Sequence, residues 1–143
     1  MGNLATLHGM DLLSRYSMLV MAPPKNPSGV WDAYAAARIT VFGRPACLQM
    51  HNGGESKNEA WLDFWSDRNI RHQFHRKGSN PWMLGRRSGL ARGIYSRTKE
   101  DGRFAGEAVL NEIRYCVNTA LNHCGFSAYH LVFGSIAADP YAW

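Results

Sequence analysis

His51 is the residue whose place in the chain most suggests chemistry. It follows a short apolar run of strand length, 46–50, and precedes Asn52-Gly53-Gly54, which forces a tight turn. In open α/β sheets, ligands gather just past the carboxyl ends of strands. A neutral imidazole binds Zn²⁺ well and Mg²⁺ badly. His51, His72 and His75 with a cysteine form a possible Zn²⁺ donor set, but their spacing carries no zinc signature. Histidines that are internally satisfied or exposed are the preferred reading. The second chemical feature is charge. Residues 68–103 hold ten Lys/Arg against only Glu100 and Asp101, whereas the rest of the chain is net acidic. A concentrated basic region suits a polyanion, most simply nucleic acid. Arg71, Arg76, Lys77, Arg86, Arg87 and Arg92 are the expected phosphate contacts.

These residues need elements to hold them. Residues 4–13 and 16–21 read as two strands meeting at Ser14-Arg15. Three prolines make 22–27 a loop, and Ser28 is a suitable cap for a helix over 29–42 with apolar residues at helical spacing. Gly43 can take the left-handed conformation that ends this helix, and Pro45 prevents its continuing. Asn58 can cap a helix over 59–68 whose buried side is aromatic, with Asn69 at its end and a strand at 70–74. A polar, basic loop, 75–80, leads to Asn80-Pro81, a good helix start. In 82–99, Gly85, Gly89 and Gly93 each cost a helix about 1 kcal/mol relative to Ala, so the expected helix is frayed or broken near Ser88-Gly89. The clearest helix is 104–123, with an apolar stripe through Val109, Leu110, Ile113, Cys116, Val117, Ala120 and Leu121. Gly125 ends it.

Several of these segments carry a resemblance. Phe42-Gly43-Arg44-Pro45, followed after a strand by Met50-His51-Asn52-Gly53-Gly54-Glu55, resembles the surroundings of the second catalytic Asp in retroviral and retrotransposon integrase cores. The pattern there is Phe-Gly-x-Pro, a strand, then Ser-Asp-Asn-Gly-Gly-Glu-Phe. Asp11-Leu-Leu-Ser-Arg-Tyr16 resembles an Asp-x-x-Ser-Arg-Tyr signature on the family's second and third strands, where the Asp supports a turn. Asn69-Ile-Arg-His72 resembles a Gly-Ile-x-His strand. Gly85 to Ile94 is similar to the Gly-Arg-x-Glu-Arg-His-Gly-Gly-Ile segment that bears the third catalytic acid. Residues 122–134 resemble the closing motif that ends in Phe-Gly.

The resemblance implies an α/β fold, the mixed sheet of the ribonuclease H-like superfamily flanked by helices, in one partial domain over 1–143. It implies a role in DNA integration with DNA as partner, alongside a homodimer or a partner integrase chain. The family cuts and joins DNA with two Mg²⁺ ions held by two Asp and one Glu. Here His51 occupies the second acid position and Ser88 or Gly89 the third. The strand bearing the first, central in the family sheet, is missing or truncated. Without it, its two neighbours either pair directly or both keep open edges. The expectation is therefore a retrotransposon-type pseudoenzyme that binds nucleic acid, with no catalytic residue intact and no cofactor of its own. Two rivals stand beside it: a structural fragment lending a strand edge or the 104–123 helix to a partner, and an enzyme completed by a partner's acids. No apolar run approaches the roughly 18 residues of a membrane span, and no signal peptide is evident. The three cysteines lack paired spacing, so reduced thiols in an intracellular, DNA-associated and hence nuclear protein are expected.

Overall fold

The computed structural model describes residues 6–21, 27–50, 59–75, 82–102, 106–120 and 125–134. Its first unit is a hairpin. β1 (Thr6–Met10) pairs antiparallel with β2 (Ser17–Met21), placing His8 opposite Leu19 and Gly9 opposite Met18. Asp11 shapes the turn by accepting from the Ser14 N–H and Oγ, both at 2.8 Å, while Arg15 takes φ 64°. Burial alone would raise the Asp11 carboxyl. The Ser14 hydrogen bonds and the Arg38 guanidinium outweigh it and hold the group below its usual range. The turn-supporting role expected for Asp11 is the one seen.

Strand alternation then divides the hairpin between two layers. Leu7, Met18 and Val20 join one core with α1 (Pro27–Phe42), to which Tyr34 and Ala35 contribute. Gly9 is required here because a Cβ at that position would collide with the Tyr34 ring. The helix begins at Pro27 rather than Gly29, so Ser28 sits inside the first turn and does not precede it. Proline suits that first helical position because its missing N–H has no partner there anyway. Gly43, at φ 71°, closes the helix with its N–H on the Ile39 carbonyl.

The same core continues through β3 (Cys47–Met50), α2 (Glu59–Ser66) and β4 (Arg71–Phe74). Trp61 and Trp65 are buried, and Trp61 Nε1 donates to Met50 Sδ at 2.8 Å. Asn69 adopts φ 55° after α2, the left-handed conformation expected of it. β3 and β4 run parallel, Cys47 opposite Arg71. Among the described residues no ladder joins β1–β2 to β3–β4. Of the two outcomes expected for a sheet lacking its central strand, the described residues show the open one.

The opposite layer is helical. α3 (Trp82–Asp101) runs unbroken through Ser88-Gly89, against the sequence expectation. Gly85, Gly89 and Gly93 are exposed with open space around them, and the inward stripe of Ala91, Ile94 and Tyr95 packs on α4 (Glu107–Thr119) and Leu19. α4 is shorter than the 104–123 pattern. It starts after Gly106 (φ 59°) and stops where Ala120 turns extended. Its stripe of Val109, Leu110, Ile113 and Val117 is consumed inside the chain. α5 (Ala128–Phe133), which its short apolar run does not announce, is set by Ser127, whose Oγ accepts from the His130 N–H at 3.0 Å, and by left-handed Gly134. No helix among the described residues is long and apolar enough to cross a membrane.

Candidate nucleic-acid interface and the His8–Ser88 pair

α3 is rotated so that Ser88 faces the sheet and Gly89 faces solvent. Ser88 Oγ lies 2.8 Å from His8 Nδ1 on β1. The other ring nitrogen, Nε2, is buried and has no partner among the described residues. Burial pushes the His8 imidazole down to about 4, and the Arg87 guanidinium works in the same direction. The ring is therefore neutral at pH 7. Sequence reading did not single out His8; a lone histidine inside an apolar strand run was the available signal.

The expected phosphate contacts separate into distinct environments. Arg86 is exposed and stacks over Trp82, its guanidinium 5.3 Å from the ring centroid. Trp82 is itself 64% exposed, so the pair presents a flat aromatic surface beside an exposed cation. Arg92, one turn past Ser88, is exposed, with Nε 3.3 Å from the Ser88 carbonyl. Arg71 is exposed on β4. Arg87 is half-buried, and its guanidinium donates to the Val117 carbonyl in the last turn of α4. There it satisfies one of the carbonyls a helix end leaves open, so its charge is committed within the fold. His51, Arg76 and Lys77 lie outside the described residues.

Next to the His8–Ser88 pair is a cavity of about 360 Å³ between β1, α3 and α4, lined by Thr6, His8, Ser88, Arg92 and Tyr95 among others. Mg²⁺ does not fit this donor set. It asks for anionic oxygens in octahedral array, and here a neutral imidazole and a hydroxyl are flanked by two guanidiniums. The Asp11 carboxylate does not line the cavity; it is held by Ser14 and lies 4.0 Å from Arg38. Among the described residues no three His, Cys, Asp or Glu side chains come together as metal ligands, and His72 and Cys47 form no such group.

No protein-family model matches the chain, and no curated protein sequence matches it. Solved structures do. The chain is similar to the HTLV-2 integrase catalytic core domain solved with magnesium in a trimeric form, at TM-score 0.71 and 14% identity, over 90% of this chain and 93% of that one. The dimeric form of the same domain gives TM-score 0.69 and 13% identity, over 88% and 90% of the two chains. A chain of the simian T-cell lymphotropic virus intasome, solved in complex with PP2A regulatory subunit B56 gamma, gives TM-score 0.74 at 16% identity. There 96% of this chain is covered, but it spans only 55% of that chain's length. At such identities the likeness is one of fold. The chain has the α/β architecture of an integrase catalytic core.

Proposed function

We propose that this chain is a single, partial integrase-core-like domain of retrotransposon type that binds nucleic acid through phosphate contacts and does not by itself catalyse metal-dependent strand transfer. The observation that supports this most directly is the surroundings of Ser88. At the α3 position where the resemblance places a catalytic acid, a hydroxyl is hydrogen-bonded to a neutral imidazole, with Arg87 and Arg92 alongside. That environment attracts an anion and repels a dication. Arg86 on Trp82, Arg92 and Arg71 give the exposed cations, and Arg76 and Lys77 extend them along the chain. The partner is DNA, and the place of action is the nucleus.

Anisotropy titration of labelled duplex DNA over a range of salt tests this. Five phosphate contacts give a slope of log K against log salt of about −4.5. Arg86→Ala and Arg92→Ala should each flatten the slope by about 1. Arg87→Ala should cost stability and leave the slope largely intact. Salt-independent binding, or nicking and joining by the purified chain with Mg²⁺ that chelator abolishes, overturns the reading. The rival role is a structural fragment lending a strand edge or the 104–123 helix to a partner; the described α4 stripe packs on α3 and Leu19 of β2, so for this role the strand edge is the better-supported surface.

A further inference from the structure

The two outer edges of the hairpin are treated differently by the rest of the chain. α4 closes the β2 edge. Asn118 Oδ1 accepts from the Ser17 N–H at 2.7 Å, Asn118 Nδ2 donates to the Ser17 carbonyl at 2.9 Å, and Arg114 Nε donates to the Leu19 carbonyl at 2.6 Å. In an antiparallel ladder, residues that bond across alternate with residues whose backbone groups point away. Ser17 and Leu19 point away, so their partners Met10 and His8, and with them Thr6, point away on the β1 side. The Asp11 N–H bond to the Tyr16 carbonyl has the matching phase. No described residue takes up the outward groups of Thr6, His8 and Met10. β3 is in the same condition. Bonds from Arg71 to Ala46 and from His75 to Met50 turn those residues toward β4, which leaves Cys47 and Gln49 facing the other way.

The cavity beside His8 lies on the α3 face of the open β1 edge. Among the described residues no acidic side chain lines it. Arg92 borders it, and His8 lines it. On the other face of β1 lie Leu7, Gly9 and the Tyr34 ring, an apolar surface. An unguarded edge is a template for strand addition, in which backbone bonds supply affinity and alternate side chains supply specificity.

We propose that the β1 edge accepts an extended peptide strand from a partner, with an acidic side chain entering the cavity toward Arg92 and apolar side chains at the adjoining positions on the opposite face. Charge complementarity selects the acid, and the face that Tyr34 covers selects its apolar neighbours. The inference stands apart from the nucleic-acid reading and is tested without DNA.

The probe is a rhodamine-labelled peptide of alternating valine and threonine with one central aspartate, and a second peptide with asparagine in its place. Both are titrated into the full chain by fluorescence anisotropy, with residue-resolved amide exchange. The aspartate peptide should bind about fivefold more tightly than the asparagine peptide, the range of one net hydrogen bond, and Arg92→Ala should erase that difference. Thr6→Pro deletes one outward donor at a strand's first residue, where proline is tolerated, and should weaken both peptides. The His8 and Met10 amides should slow on binding, while those of Leu7 and Gly9, already bonded to β2, should not change. Absence of binding, equal affinity for the two peptides, or slowing confined to residues other than His8 and Met10 overturns the proposal. Protection of the same two amides by concentration alone, with a doubled mass in sedimentation, also overturns it by assigning the edge to a second copy.

Discussion

Acidification should destabilise this protein through His8 before its carboxylates titrate. The folded chain holds the ring neutral, with a pKa lowered from 6.5 to about 4 by burial and by Arg87. The unfolded chain binds a proton at the ordinary value, so between those two values the unfolded state carries more protons. Stability then rises with pH. The contribution is fully present above pH 6.5 and is lost as pH falls toward 4. A shift of this size integrates to about 3 kcal/mol over the whole window, of which about 2 kcal/mol is lost between pH 7 and pH 5. For a urea slope of about 1.5 kcal/mol/M, that moves the unfolding midpoint down by about 1 M. The chain has six histidines, so the assay compares wild type with His8→Gln, which can keep a hydrogen bond to Ser88 but cannot titrate. The variant's midpoint should fall by about 1 M less between pH 7 and pH 5. Equal falls in the two proteins, or an NMR titration placing His8 near 6.5, would refute the reasoning.

Two further substitutions test the packing around the same hairpin. Asn118→Ala strands the buried N–H and carbonyl of Ser17, which should cost about 2–4 kcal/mol in urea unfolding and raise concentration-dependent aggregation because the β2 edge is reopened. Gly9→Ala drives a Cβ into the Tyr34 ring and should cost about 1–3 kcal/mol, with part of the loss recovered in the Gly9→Ala, Tyr34→Ala double variant.

Much of the fold was legible because local signals agreed. Gly43 and Asn69 were read as left-handed helix ends and are so, at φ 71° and 55°. The aromatic side of α2 marks its burial, and the loss of a central strand already implies that the two strand pairs either join or stay apart, as the described ones do. The errors have physical causes. Ser28 was read as a cap by residue type, but Pro27 is a better first helical residue. The 104–123 stripe runs on past the backbone break at Ala120, because a hydrophobic period reports side chains and not the end of hydrogen bonding. α5 is too short for a period and is specified by Ser127 and Gly134. The candidate site was half legible. Arg86 and Arg92 are exposed as expected, but Arg87 is bound to the Val117 carbonyl through a contact 30 residues away in sequence, which no local pattern encodes.

Which of Ser88 and Gly89 stands where the resemblance puts the third acid turns on how α3 is rotated. Successive residues on a helix are about 100° apart, so a one-residue slip would carry Gly89 to β1 and Ser88 toward solvent. Three terms oppose that slip together. His8 Nδ1 would lose Ser88, its only partner among the described residues, and join Nε2 as a second unsatisfied atom of a buried ring. The Val117 carbonyl would lose Arg87. The glycine stripe would move toward the core and Ala91 out of it, opening voids at the contact with Leu19 and α4. In the observed rotation the three glycines still cost the helix about 3 kcal/mol relative to alanine, but they do so where no packing is lost. The packing that makes a glycine-rich helix tenable is therefore the same packing that aims Ser88 and Arg87 inward, and the inward face it builds is cationic and hydroxylic where a metal-holding helix would carry a carboxylate.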